Sequence, residues 1–261
     1  MLPDTLVVTA TLGNRNTLDK TIQSVKEIGG DRVKHILTSP AEKIDVLKAK
    51  FPNLEIIPEP NDCKGIYPAL NNAIKTYAKD YKYVTFINDD DYWLPDFIKL
   101  FEIMDKNNEI EVVYGRTVYV SAEGRTIGEQ TSSGRYKAFK ALLTKNIILF
   151  TQQATLMKSD LFFRVGGFDE NYKLVADTKF WAQAIDTGAR FYYKNAVCAA
   201  YTIQDGQLSS DKTLQSNELQ LLNEPMFIFV KGNAKFETFL FRLNNIKIYM
   251  TRFLKFKKHA F

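Results

Sequence analysis

Three consecutive carboxylates, Asp89-Asp90-Asp91, follow directly on the apolar run Tyr83-Val84-Thr85-Phe86-Ile87 and precede Tyr92-Trp93-Leu94-Pro95. Adjacent negative charges repel, so a purely structural triplet would have to keep all three solvated in a turn. Here apolar sequence on both sides ties the triplet to the core. Oxygen ligands fixed at such a point suit a hard divalent cation, Mg²⁺ or Mn²⁺, which keeps several waters and bridges phosphates. A leaving diphosphate needs its charge neutralised as its bond breaks, and a cation held at these aspartates would supply that.

The elements that must hold the triplet alternate between strand and helix patterns. Leu6–Ala10 is a short β-branched run, followed by the loop Leu12-Gly13-Asn14-Arg15. Leu18, Ile22, Val25 and Ile28 recur at helical spacing, with Asn16 as N-cap and Gly29-Gly30 as stop. Val33–Leu37 reads as a second strand, residues 41–50 as a helix, Leu54–Ile57 as a third strand and Tyr67–Ala78 as a helix. Tyr83–Ile87 is then a fourth strand, and Pro95 opens a helix over residues 95–106. Such alternation implies a mostly parallel sheet covered on both faces, with ligands bound beyond the carboxyl ends of the strands. The triplet sits in that place. Further on, Val112–Val120 and Arg125–Glu129 read as a hairpin around Glu123-Gly124, Tyr136–Leu143 as a helix, Ala154–Lys158 as a strand, and residues 177–187 as a helix. Gly166-Gly167 lacks the spacing of a dinucleotide or phosphate loop and reads as a turn, as does Asp205-Gly206.

The 261 residues are 45% hydrophobic, 13% aromatic and 25% charged. That mix builds one large core and excludes disorder, collagen or coiled coil as the main architecture. No window reaches the roughly 18 uncharged apolar residues of a membrane span. The opening residues read as a first strand, not a secretion signal. Cys63 and Cys198 offer neither a disulfide framework nor a metal cluster nor a nucleophile with a His base motif, which points to a reducing cytoplasm. His35 alternates within a strand and reads as structural, while His259 lies in the tail. The net charge of +5 is uneven: residues 231–261 hold eight Lys/Arg against Glu237 alone, a charge of +7, leaving the body at −2. A nucleic-acid reader would carry its basic face on the body, so no nucleic-acid partner is expected.

Several ordered segments resemble family 2 glycosyltransferases, inverting enzymes of the GT-A fold. Val7–Arg15 is similar to the opening strand and loop that hold the nucleotide, and Lys64–Ile74 to the segment that begins the helix over the donor. Tyr83–Asp96 is similar to the strand, acidic metal motif and following Pro-Asp. Gly166–Glu170 and Ala176–Trp181 are similar to the acceptor-side signature. The resemblance spans residues 6 to about 190. It implies an α/β fold: one GT-A-type domain with a Rossmann-like nucleotide-binding half (1–110), an acceptor-binding half (111–215) and a mixed central sheet, followed by a C-terminal helical tail (216–261).

The resemblance also implies roles. Thr9, Ala10 and Thr11, with Arg15 and Gly65, would meet the nucleotide-sugar donor. Asp89 would face the ribose, Asp90 would bind Mn²⁺ or Mg²⁺ with Asp91 as neighbour, and Asp177 would be the general base, although a carboxylate opening a helix can also be an N-cap. Trp181 lies in the acceptor-side signature. Gln152 and Gln153 would bind acceptor hydroxyls or simply end a loop. Relatives carry an acidic, glycine-containing turn after the second strand. Here Thr38-Ser39-Pro40 stands instead, leaving Thr38 or Asp62 for the base. Gln204–Ser209 would close over the donor.

The tail places Phe236, Phe239, Leu240, Leu243, Ile246, Met250, Phe253 and Leu254 at three- and four-residue steps among Arg242, Lys247, Arg252 and Lys255. This basic amphipathic helix either meets a membrane surface through residues 236–261, which would make the protein peripheral on the inner face, or packs on the body. The expected activity is metal-dependent transfer from a UDP-sugar to a glycan or lipid-linked glycan in surface polysaccharide synthesis. A non-catalytic binding module of the same fold and a sugar-nucleotide pyrophosphorylase are the alternatives.

Overall fold

The computed structural model describes residues 2–62, 65–204, 207, 211–226 and 234–256. A single nine-stranded mixed sheet runs through the body. Its strands are β1 (Thr5–Ala10), β2 (Val33–Ser39), β3 (Glu55–Pro58), β4 (Tyr83–Phe86), β5 (Tyr92–Trp93), β6 (Val112–Ser121), β7 (Thr126–Glu129), β8 (Thr155–Lys158) and β9 (Phe191–Ile203). The spatial order is β3-β2-β1-β4-β8-β6-β9-β5, with β7 paired to β6. β1, β2, β3 and β4 are parallel, whereas β8 runs antiparallel to both β4 and β6. The parallel half and the mixed half are therefore one continuous sheet.

Side-chain alternation explains the apolar strand sequences. On β1, Leu6 and Val8 enter one core with Ile36, Val84, Phe86 and Met157, while Val7 enters a second with Val25, Trp93, Phe97 and Leu156. Both faces are covered, so the strand reads as an unbroken apolar run. Helices α1 (Leu18–Gly29), α2 (Ile44–Lys50) and α3 (Ile66–Tyr77) cover the parallel half, and α4 (Ile98–Lys106) packs on β6, β8 and β9. They are followed by α5 (Phe139–Leu143), α6 (Ser159–Val165), α7 (Ala176–Asp186), α8 (Lys212–Met226), α9 (Ala234–Asn244) and α10 (Ile246–Phe256).

Four details differ from the sequence expectation. Thr17, not Asn16, occupies the N-cap of α1, and no side chain caps that end. β5 and β9 escape the periodicity reading altogether. β5 has only two residues, pairing Tyr92 with Ala200 and Trp93 with Ala199. β9 is long but carries Tyr192, Lys194 and Asn195 among its apolar residues, which blurs its pattern. Among the described residues, the amphipathic stretch 236–256 lies on two helices and not one, broken where Asn245 is buried and donates from its side chain to Phe241 O at 2.8 Å.

His35 on β2 is buried, and its Nε2 lies 3.0 Å from Thr9 Oγ1. Burial lowers its pKa from 6.5 to about 4. The unfolded chain therefore takes up the proton first as pH falls. Stability contributed by neutral His35 is present above about pH 6.5 and lost towards about pH 4, on the order of 3 kcal/mol in all. Urea unfolding of wild type and His35→Gln at pH 7 and pH 4.5 is expected to show a smaller acid-induced loss in the variant. Equal losses would assign the acid sensitivity to other groups.

Candidate active site

The carboxyl ends of β1, β2 and β4 converge, and they deliver Thr11, Thr38 and Asn88–Asp91 to one rim. Thr11 N–H donates to Thr38 O at 2.9 Å, and Ile87 N–H donates to Val8 O at 3.0 Å, so the register of the three strands carries into the loops. The hydroxyl of Thr11 donates to Asp89 Oδ2 at 2.6 Å and accepts Gly13 N–H at 2.9 Å. Burial raises the Asp89 pKa, the Thr11 bond opposes this, Asp90 raises it and the half-buried Arg15 lowers it. Thr11, Arg15 and Asp89 thus form one cluster.

The three aspartates take different environments. Asp89 is half-buried on the β1 side. Asp90 is 7% exposed, and its Oδ2 accepts from Gln204 Nε2 at 3.2 Å and Gln207 Nε2 at 2.8 Å. These two glutamines are the described members of the loop expected to close over the donor, while Asp205-Gly206 lies outside the described residues. Asp91 is fully buried. Its carboxylate accepts from Thr202 N–H at 2.9 Å, Asn88 Nδ2 at 3.1 Å and Gln153 Nε2. Burial, and then the charge of Asp90, push its pKa well above the carboxylate range. Asp91 thus ties the β4 turn to β9 and to Gln153.

Other expected site residues are also placed elsewhere. Gln152 is buried, with Nε2 donating to Thr85 Oγ1 at 3.1 Å, and Gln153 is buried against Asp91. Both amides face the interior. Trp181 is 2% exposed and packs on Phe150, Phe180 and Phe191, so its ring has no face free for a sugar. Thr9 spends its hydroxyl on His35, and Ala10 is half-buried at the strand end. The Thr38 hydroxyl is sealed from solvent with no hydrogen-bond partner among the described residues. Asp62 is exposed in a surface hollow of about 450 Å³ lined also by Pro60, Pro68, Asn71, Asn72, Lys75 and Glu170. Gly65 is exposed at the N-cap of α3 with φ of 96°. Cys63 lies outside the described residues.

Asp177 is half-buried in the first turn of α7, whose N-cap position is Val175. Three donors reach its carboxylate, and all three meet Oδ1: Thr178 N–H at 2.7 Å, Tyr67 Oη at 3.3 Å and Thr178 Oγ1 at 3.4 Å. No described hydrogen bond uses Oδ2. Burial raises the Asp177 pKa, while the Thr178 and Tyr67 bonds oppose the rise. Loop geometry holds this residue from two sides. Glu218 on α8 is buried and accepts Lys173 N–H at 2.8 Å, Leu174 N–H at 2.9 Å and Val175 N–H at 3.2 Å. Tyr67 also reaches Leu174 O at 3.1 Å, and its ring packs on Phe168, which meets Phe86 of β4 edge-on. An aromatic bridge therefore links the strand before the triplet to the support of Asp177.

Asn71 on α3 locks the preceding turn. It accepts Phe168 N–H at 2.9 Å and donates to Phe168 O at 2.8 Å and Glu170 Oε1 at 2.7 Å. Gly167 has φ of 85°, and a Cβ there would sit 2.8 Å from Asn71 Oδ1, so only glycine fits. Tyr67, Asn71, Glu218, Gln204 and Gln207 are supporting residues without individual sequence signals; Tyr67 and Asn71 at least lie within the Lys64–Ile74 segment.

The profile of glycosyl transferase family 2 matches residues 6–168, more than half of the chain. The chain belongs to glycosyl transferase family 2. The match ends before Asp177. Among solved structures, residues 1–349 of S. aureus TarS in complex with UDP-GlcNAc share 13% identity at a TM-score of 0.65, over 92% of this chain and 73% of that one. The mannosyltransferase PcManGT from Pyrobaculum calidifontis, in complex with GDP-Man and Mn²⁺, shares 14% at 0.60, over 90% and 69%. Against a longer S. aureus TarS structure the TM-score is 0.58 at 14% identity, with 77% of this chain covered but only 37% of that one. No curated protein matches. These likenesses establish a GT-A fold for this glycosyltransferase.

Two substitutions test the supports of Asp177 without reference to turnover. Tyr67→Phe removes a donor to Oδ1, so the carboxylate NMR titration of Asp177 is expected to move to higher pH. A midpoint that does not move would remove Tyr67 from its environment. Glu218→Ala leaves three N–H groups, that of buried Val175 among them, without their acceptor and is expected to cost about 2–4 kcal/mol in urea unfolding. A loss below about 0.5 kcal/mol would mean that water replaces the carboxylate freely.

Proposed function

We propose that the chain transfers a sugar, with inversion, from a nucleoside-diphosphate sugar to a hydroxyl of a glycan or glycolipid acceptor in cell-surface polysaccharide synthesis. The observation that carries the chemistry is the asymmetry of Asp177. Its Oδ1 holds every described hydrogen bond and its Oδ2 holds none, on a carboxylate whose pKa burial raises. A general base needs one such open oxygen within reach of the proton it takes, and a pKa nearer to working pH improves it. In this reading Oδ2 accepts the proton of the acceptor hydroxyl as that oxygen attacks the anomeric carbon. The bond to the diphosphate breaks on the opposite face, and the diphosphate departs with the electron pair. Thr178 and Tyr67 hold Oδ1 still while Oδ2 works.

The donor would lie at the rim of Thr11, Arg15, Asp89 and Asp90. Among the described residues no group of three or more His, Cys, Asp and Glu could hold a metal ion by itself. Two carboxylates still fit Mg²⁺ or Mn²⁺, because these ions commonly complete their shell with water and substrate phosphate. Asp90 supports this fit: only its Oδ2 carries described hydrogen bonds, and its charge raises the pKa of Asp89, a repulsion that a cation would relieve. A bound divalent ion would neutralise charge on the departing diphosphate. The TarS structure with UDP-GlcNAc and the PcManGT structure with GDP-Man and Mn²⁺ support a nucleotide-sugar donor of this class. We retain UDP as the proposed nucleotide.

Release of UDP, dTDP or GDP from a donor panel with Mn²⁺ tests the reading. Asp90→Asn is expected to abolish metal-dependent use of the donor. Asp177→Asn should bind nucleotide normally and lose about 10²–10⁴-fold in transfer. Because the base must be deprotonated, wild-type kcat should fall with decreasing pH at a midpoint above the ordinary aspartate value. Wild-type turnover by Asp177→Asn would overturn the base assignment, and nucleotide binding without release from any donor would favour a binding module.

A further inference from the structure

The two tail helices divide their residues sharply. Ala234, Phe241, Asn245 and Arg252 are buried against the body. Asn245 Oδ1 accepts Ser132 N–H at 3.0 Å, and the Arg252 guanidinium donates to Glu129 O at 2.6 and 2.9 Å. These contacts fix which side of α9 and α10 faces inward. The other side carries Phe236, Phe239, Leu243, Ile246, Met250, Phe253 and Leu254, each between 54% and 70% exposed. Seven of the eight stripe residues thus point away from the body, and Leu240 is half-buried. Folded monomers seldom leave so many large apolar side chains together in water.

Charge selects the occupant. Lys235, Arg242, Lys247 and Lys255 are exposed on the same two helices. Glu237 is their sole acid, and it is taken by Arg135 through a bidentate pair at 2.7 and 2.9 Å. A second copy docking here would bring two sets of cations together. An acidic bilayer accepts both components: aromatic and aliphatic side chains enter the acyl boundary while lysine and arginine meet anionic headgroups. We propose that α9 and α10 form a peripheral docking surface for anionic membrane. Among the described residues no helix is long and apolar enough to cross a bilayer, so binding would lie in the interface plane. The proposal is independent of the transfer chemistry, but it would bring the rim to a lipid-linked acceptor.

Flotation of the full chain with vesicles of phosphatidylcholine containing 30% phosphatidylglycerol tests it. Wild type is expected to float. Phe239→Glu/Met250→Glu, both at exposed positions and checked for an unchanged melting curve, should lose at least tenfold in affinity. Each of the four exposed cations contributes about fivefold, so pure phosphatidylcholine should bind on the order of 600-fold more weakly. Failure of wild type to float would overturn the proposal. So would equal binding by the double variant, or sedimentation of wild type as a dimer that the variant dissociates while vesicles remain unbound.

Discussion

Mutual repulsion among Asp89, Asp90 and Asp91 is the constraint around which the rim at the ends of β1 and β4 is built. Three neighbouring carboxylates cannot share one buried volume without each raising the pKa of the next. The fold separates them by giving each a different supporting element. Asp89 turns to the Thr11 hydroxyl at the end of β1, Asp90 to the glutamine amides after β9, and Asp91 to the Thr202 N–H and the Gln153 amide. Only Asp91 is wholly withdrawn from solvent, where three donors replace its hydration. The other two keep oxygen atoms outside the described hydrogen bonds. The same arrangement explains why Gln153, a polar residue beside an apolar strand, belongs inside.

On the other side of the site, backbone groups do the holding. Glu218 gathers three successive N–H groups just ahead of α7, Tyr67 reaches both Leu174 O and Asp177 Oδ1, and Asn71 pins the turn around Phe168. Phe168 touches Tyr67 and Phe86, so the turn that ends the family match is packed between the strand leading to the triplet and the residue steadying Asp177. A displaced Phe168 would disturb both.

Sequence patterning made the parallel half of the sheet legible. β1, β2 and β4 are β-branched runs closed by polar loops, and the triplet marked the rim because clustered charge beside an apolar strand has few structural uses. Family resemblance, and not periodicity, drew attention to Asp177. What stayed hidden depends on contacts between distant segments. Trp181 lies four residues beyond Asp177 on the same helix, yet one is sealed in aromatic packing and the other opens to solvent. Glu218 sits in a helix of ordinary polar composition, and nothing near it in sequence announces three N–H partners more than forty residues away. The tail stripe was visible from spacing alone; its outward orientation required Asn245 and Arg252 to be seen facing inward.

β5 has a mechanical consequence out of proportion to its two residues. The chain leaves the triplet, crosses to the far edge of the sheet and pairs there with β9, where Leu94 N–H also donates to Cys198 O at 2.8 Å. A segment from the first hundred residues is thereby sewn into the opposite end of the same sheet. The two halves cannot swing apart like the jaws of a hinged clamp without tearing that seam. Parting them would break the two β5–β9 pairs and the Leu94–Cys198 bond together, so the seam fastens the segment after the triplet to the distant edge of the sheet.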